Sequence, residues 1–182
     1  MRFNPPDSWF HERARYNHYV YGFAHMMMKL TRMNINGKAL EIGSFSGEST
    51  ALIGMFGLFD EIHCVEPFDG EIPLQTEWWK VQSEFSLNTR HYPVTLHQGY
   101  SYDVLPTLTD KFSFIYIDAA HDYDSVKQDI ELALPLLEKG GVIAGHDYNT
   151  KTFPGVVQAV HDTLGTPTQQ FADESWMIAT GK

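Results

Sequence analysis

Along the chain, short runs of β-branched and aromatic residues alternate with stretches whose apolar positions repeat at helical spacing. That alternation marks βαβ units around a parallel sheet, an α/β fold. The runs predict strands at residues 39–42, 61–66, 94–98, 112–118 and 141–146. The clearest helical pattern spans residues 123–137, with Val126, Ile130, Leu134 and Leu137 on one face. Pro135 should loosen its last turn, and Gly140-Gly141 should end it. A shorter helix follows at about residues 155–164, then strands near 168–171 and 176–180 separated by Ala-Asp-Glu-Ser. A terminal hairpin of this kind forces one strand to run against the others.

Two stretches fall outside the alternation. Residues 16–33 place Tyr16, Tyr19, Phe23, Met27 and Leu30 at helical spacing. Residues 71–92, which carry Trp78, Trp79, Val81 and Phe85, also predict a helix. Aromatic and Met stripes of this kind serve packing more often than a pocket. The chain thus divides into an N-terminal helical segment, 1–36, and an α/β domain, 37–182, the first a candidate lid or oligomer surface. His11, His18 and His25 share one helix face. Neighbours there stand about 10.5 Å apart, too far to share one ion, and they read as half-exposed surface histidines.

At 182 residues the chain suits a single core. Its net charge of -10 repels phosphate backbones and its 13 Lys and Arg are scattered, so nucleic acid is not an expected partner. The single cysteine, Cys64, cannot form an intrachain disulfide and lies in an apolar run, as a buried thiol would. The opening MRFNPPDSWFHERARY is too polar for a signal peptide. No apolar run nears the roughly 20 residues that a membrane span needs. A cytoplasmic domain with no membrane partner is the expectation.

The most informative stretch is ALEIGSFSGEST, residues 39–50. A strand ends at Ile42, a helix opens near Gly47, and the backbone turns between them through Gly43, Ser44, Phe45 and Ser46. Gly43 permits a tight turn and a close ligand approach, and the helix start offers unpaired N–H groups. Parallel α/β sheets bind nucleotides here, beyond the carboxyl ends of their strands. A dinucleotide fingerprint wants a second glycine two residues after the first, and Phe45 stands there instead. Glu41, just before the turn, opposes a phosphate but suits a cationic ligand. S-adenosylmethionine, with an ammonium, a sulfonium and no phosphate, matches that charge. About twenty residues on, Glu66 ends the second strand ahead of Pro67 and Phe68, placed to accept from both ribose hydroxyls. The third strand runs out at Gln98-Gly99-Tyr100-Ser101, where Gly99 and Ser101 would flank the adenine.

On these residues the chain, from about Gly37 onward, resembles the class I methyltransferases. The branch it resembles is that of the small-molecule O-methyltransferases, which includes catechol and macrolide-sugar or aminocoumarin-sugar enzymes. The resemblance implies a Rossmann-like, seven-stranded, mostly parallel sheet with helices on both faces and one antiparallel strand from the C-terminal hairpin. It implies donor contacts at Glu41, Gly43, Gly47, Glu66, Gly99 and Ser101. Ser44, Phe45, Ser46, Pro67, Phe68, Tyr100 and Asp118 would complete that donor site.

The second informative region pairs FIYIDAAHDYDSVKQDI, residues 114–130, with GGVIAGHDYN, residues 140–149. One buried strand delivers Asp118 at its carboxyl end, and the next delivers His146 and Asp147. Adjacent strands lie about 4.8 Å apart, so these groups should converge beside the sulfonium. Such a set suits a divalent cation, Mg2+ or Mn2+, that orients an acceptor hydroxyl and lowers its pKa. In the metal-dependent enzymes of the resemblance, an acid ends the fourth strand and an acid pair, or an acid and an amide, ends the fifth. The matching positions are Asp118, His146 and Asp147. His146 departs from that pattern, because magnesium prefers oxygen while imidazole suits transition metals. His121 is a candidate general base or, equally, a loop cap through its ring N–H. Asp122 or Asp124 reads as the N-cap of the helix that follows.

The expected activity is transfer of a methyl group from S-adenosylmethionine to a hydroxyl of a small molecule, a sugar or phenol. Asp118, His121 and His146 are the catalytic candidates. Methyl transfer needs oxygen, methyl carbon and sulfur in line, so positioning matters as much as base chemistry. Two rivals share the sheet. A nicotinamide-dependent oxidoreductase would want the glycine that Phe45 replaces. A module that binds the donor or S-adenosylhomocysteine without turnover has no need of the acids and histidines. A chain this short leaves its acceptor site open or completed by a second subunit, which makes a homo-oligomer a candidate assembly.

Overall fold

Seven strands make one sheet in the computed structural model, which describes residues 17–69 and 77–181 and, within residues 17–20, the backbone alone. The strands are β1 (Gly37–Ile42), β2 (Phe59–Glu66), β3 (Val94–Gln98), β4 (Phe112–Ile117), β5 (Leu137–Gly145), β6 (Gln169–Gln170) and β7 (Trp176–Ala179). Their order across the sheet is β3-β2-β1-β4-β5-β7-β6. β1 to β5 pair in parallel, while β7 runs antiparallel to both β5 and β6. One reversed strand is what two short segments on either side of a tight turn require. The order changes direction between β1 and β4, and the carboxyl ends of those two strands form the switch point where α/β sheets place ligands.

Helices cover both faces. α1 (Asn17–Met33), α2 (Glu48–Phe56) and α3 (Trp78–Thr89) lie on one, and α5 (Tyr123–Ala133) and α6 (Pro154–Leu164) on the other; α4 (Ser101–Val104) is a single turn after β3. The stripe on α1 is packing: Phe23, Met26, Met27 and Leu30 are buried in the same core cluster as Ala39, Phe114 and Tyr116 of the sheet. Side chains of this size contribute roughly 1.5–3 kcal/mol each when buried. The α3 stripe buries Val81 and Phe85 but leaves Trp79 exposed. The 71–76 part of that expected helix lies outside the described residues, as do the side chains of His11, His18, Tyr16 and Tyr19.

One helix ends earlier than its apolar spacing predicts. α5 stops at Ala133, Leu134–Leu136 form a 3-10 turn around Pro135, and Leu137 opens β5. Proline lacks the N–H that would continue the α-helix, and the turn hands the chain straight to the sheet. Gly140-Gly141 therefore does not cap a helix; both residues lie inside β5. Gly141 permits a close strand approach there, because a Cβ would meet the Ser113 carbonyl oxygen at 2.9 Å. The pairing register with β4 is irregular at this place, running from Phe112↔Leu137 to Phe114↔Val142. The sixth strand is likewise shorter than its pattern, two residues long.

Candidate active site

The turn after β1 is built by close contacts that only glycine allows. Gly43 has φ 84, and a Cβ on it would stand 2.3 Å from the Asp118 carbonyl oxygen. The space that Gly43 leaves is thus filled by the backbone after β4, which ties the two strand ends together. Gly47, at φ 77, is the N-cap of α2 and lies against Phe85 and Thr89 of α3. From the same helix the Asn88 amide donates to the Ser46 carbonyl at 2.8 Å. Ser44 and Ser46 are buried, whereas Phe45, at φ 43, stays exposed and meets Trp78 edge-on.

Glu66 is the pin of this turn. Its two carboxylate oxygens accept from the backbone N–H groups of Phe45 at 2.7 Å and Phe68 at 2.9 Å. The acid at the end of β2 thereby shapes both the loop over β1 and the chain that leaves β2 through Pro67. Glu41 takes a different place. It is fully buried beneath the turn, where Thr50 of α2 donates to its Oε2 and Cys64 lies 3.7 Å away. Burial raises its carboxyl to about 7, against the pull of the Ser49, Thr50 and Ser44 hydroxyls. The Cys64 thiol is pushed up by the same burial, as an inert thiol should be.

Beyond β3, Gly99 donates its N–H to the Glu66 carbonyl at 3.2 Å. Tyr100 and Tyr102 stack with centroids 5.2 Å apart and lie open to solvent, forming a flat aromatic surface beside the Glu66 turn. The Ser101 hydroxyl is engaged within the protein, donating to Asp129 of α5. Asp129 is buried, which raises its carboxyl to about 6. Sequence reasoning passed it over, although an acid three residues after Val126 on an apolar helix face was a visible signal. Asn88 carried no such signal, because only the docking of α3 brings it to the loop.

At the ends of β4 and β5 the charged groups gather. One donor atom from each of Asp118, His121 and Asp147 lies within 4.8 Å of the others. The expected set held His146 in place of His121. His146 lines the same small cavity as those three. Asp147, whose backbone adopts φ 59, faces both histidines, with His121 Nε2 at 2.8 Å and His146 Nδ1 at 3.2 Å. The His121 ring stacks on Phe153 with centroids 4.5 Å apart. Asp122 caps α5 by accepting from the Ser125 N–H at 3.0 Å.

The electrostatics follow from that crowding. Burial opposes the charge on His146, but its bond to Asp147 and the fields of Asp118, Asp147 and Asp173 outweigh it and raise its pKa to about 9. His121 is raised by its bond to Asp147. Burial likewise opposes ionisation of Asp147, yet its two histidine partners hold its carboxyl well below the usual range. A larger groove, about 620 Å³, lies elsewhere between α1 and β6, lined by His25, Lys29, Arg32, Gln169 and Phe171.

A switch-point turn pinned by an acid on β2, with an acid–histidine cluster at the ends of β4 and β5, sits where Rossmann-like domains place their ligands. Residues 40–148 match the family model of a methyltransferase domain, and the chain belongs to that family. No curated protein matches the sequence. Among solved structures, the O-methyltransferase NovP superposes with a TM-score of 0.68 at 16% identity, covering 90% of this chain and 80% of its own. CalS11, described as a TDP-rhamnose 3'-O-methyltransferase of calicheamicin biosynthesis, gives 0.64 at 18% identity over 91% and 82%. The O-methyltransferase TomG from Streptomyces achromogenes, solved in complex with SAM, gives 0.64 at 21% identity over 88% and 80%. At these identities the likeness speaks for the fold. Among the described residues no helix is long and apolar enough to cross a membrane.

Proposed function

We propose that the protein transfers the methyl group of S-adenosylmethionine to a hydroxyl of a small molecule, with a divalent cation held by the acid–histidine cluster. The observation that carries the donor reading is Glu66, whose oxygens each accept one backbone N–H at the rim of the glycine turn. A carboxylate oxygen keeps further lone pairs after one such bond, so Glu66 can hold the turn and still receive ribose hydroxyls. The exposed Tyr100–Tyr102 stack beside Gly99 supplies an apolar plane for the adenine. Membership in the methyltransferase family, and a neighbour solved with SAM, support the same donor.

Two carboxylates and an imidazole with donor atoms this close fit a divalent ion by chemistry and by reach. When bound, such an ion supplies a Lewis acid that lowers the pKa of an acceptor hydroxyl. The remaining work belongs to the chain. Both histidines are engaged by the Asp147 carboxylate, which raises the pKa of each. Asp118, the other acid of the cluster, is therefore the group we assign to take the acceptor's proton and to face the sulfonium. Oxygen as the acceptor atom is supported by three neighbours that are O-methyltransferases by name.

Calorimetric titration of the purified chain with S-adenosylmethionine and, separately, with NAD tests the donor. Binding of the first and not the second is expected. Methyl transfer to a panel of phenols and sugars should then appear by mass spectrometry. NAD binding, or no donor binding at millimolar concentration, sinks the reading.

A further inference from the structure

We infer that Asp129 is a positioning residue for the donor: it fixes the Ser101 hydroxyl as a hydrogen-bond acceptor, so that the site reads the amino group of adenine and rejects a 6-oxopurine. That reading of the base rests on the proposed function, which seats the donor's adenine at the end of β3.

Packing alone does not account for Asp129. It lies on the inner face of α5 with Val126, Ile130 and Ala133, and it is 3% exposed. Among the described residues its carboxylate has one hydrogen-bond partner, the Ser101 hydroxyl, which donates to Oδ1. Burying an ion costs more than one hydroxyl bond returns, so stability gives no reason for a carboxylate here. Burial pushes the carboxyl up to about 6, which still leaves it largely ionised above neutrality.

The ionised state settles a direction. A carboxylate only accepts, so Ser101 gives its single hydroxyl proton to Asp129. What the Ser101 oxygen then offers a ligand is lone pairs, made better acceptors because the proton is engaged. An unheld serine would turn its hydroxyl either way and serve an amino group and a carbonyl alike. Ser101 is half-buried and stands between Tyr100 and Tyr102, whose rings stack. It lies two residues beyond Gly99, whose N–H donates to the Glu66 carbonyl at 3.2 Å. A base on that aromatic plane, with its ribose at Glu66, brings its edge to Ser101. Adenine presents an N–H donor at C6. Hypoxanthine presents a carbonyl oxygen there, which would face lone pairs with no proton between them.

The test is calorimetry of the full chain at pH 7.5 with two probes, S-adenosylhomocysteine and S-inosylhomocysteine. The adenosyl compound should bind at least about tenfold more tightly. That preference should shrink at least about threefold in Ser101→Ala and in Asp129→Leu. The double variant should show the preference of Ser101→Ala, because Asp129 acts through that hydroxyl. An acid that only held the fold would weaken both ligands alike and leave their ratio unmoved. Equal binding to the unaltered protein, a ratio unchanged in Ser101→Ala, or an Asp129→Leu effect that persists on the Ser101→Ala background would each overturn the inference. Should Asp129→Leu fail to fold, the unaltered protein and Ser101→Ala still decide. Binding of neither probe fails the donor reading and takes the inference with it, whereas equal binding of both fails the inference alone.

Discussion

The two halves of the site are held together by opposite means. Around the glycine turn, charge is absorbed: Glu66 accepts two backbone N–H groups, Glu41 lies buried under Thr50, and Asn88 fastens Ser46 from a neighbouring helix. At the ends of β4 and β5 charge is concentrated, with Asp118, Asp147, His121 and His146 crowded at one rim. On the proposed function, the first half is the shape that receives the donor and the second the field that acts on the acceptor. Rigid, hydrogen-bonded binding surfaces beside a cluster of strained titrations are what positioning plus proton chemistry requires. Substitutions that remove charge should therefore damage the two halves in different observables.

The largest effect is expected from Asp118→Asn. The amide keeps size and loses the negative charge, so methyl transfer should fall by about 100-fold or more in kcat/KM, with a smaller loss of donor affinity as the charge facing the sulfonium goes. An Asp118→Asn variant within a few fold of the unaltered rate would remove Asp118 from the proton path and break the contrast drawn between the halves.

Gly43→Ala attacks the seam between them. Its Cβ would have to enter the 2.3 Å gap to the Asp118 carbonyl at φ 84. Strain at a left-handed residue and a backbone clash together should cost about 3 kcal/mol in denaturant unfolding. If the variant instead keeps its stability and loses only donor affinity, Gly43 serves the ligand and not the junction of β1 with β4.

How legible each half was follows from where its contacts come from. The turn was readable because each of its parts lies within a few residues of a strand end: Gly43 and Gly47 follow β1, and Glu66 ends β2. The partners of those residues were not, since Asn88 and Asp129 arrive by helix docking. The alternation of runs gave the five parallel strands within a few residues. The helix over 123–137 was overextended because its apolar spacing continues through Pro135 into β5, and periodicity alone cannot see that a strand follows at once. At the cluster, adjacency of His146 and Asp147 suggested that both face the centre. Both line the small cavity there, but Asp147 also reaches His121, and no residue pattern announces φ 59 at an aspartate.

Glu66→Gln sharpens the contrast on the donor side. A glutamine has one carbonyl oxygen and an NH2 group, so either the Phe45 or the Phe68 N–H loses its acceptor and meets a donor. A charged hydrogen bond lost at a buried site costs about 1.5–3 kcal/mol, which predicts a roughly tenfold or greater loss in S-adenosylmethionine affinity by calorimetry. Stability should drop as well, because the same oxygens pin the turn. A change in stability with donor affinity intact would leave Glu66 a purely structural acid.

Glu41→Gln should have the smallest effect, and its sign depends on pH. Burial raises the Glu41 carboxyl from 4.5 to about 7 in the folded protein. The unfolded chain releases this proton as pH climbs past 4.5, while the folded chain keeps it until about 7. The contribution to stability is therefore full below 4.5 and is lost as pH rises through that window. Glutamine has no proton to lose, so the variant should match the parent near pH 4.5 and exceed it by roughly 1 kcal/mol at pH 8. That gain stays small because Thr50 donates more strongly to a carboxylate than to an amide. Donor affinity should stay within about threefold, since the carboxylate lies under the turn and not on its open side. A tenfold loss of S-adenosylmethionine affinity in Glu41→Gln, with folding unharmed, would move Glu41 from the scaffold to the ligand and erase the division between a half that absorbs charge and a half that uses it.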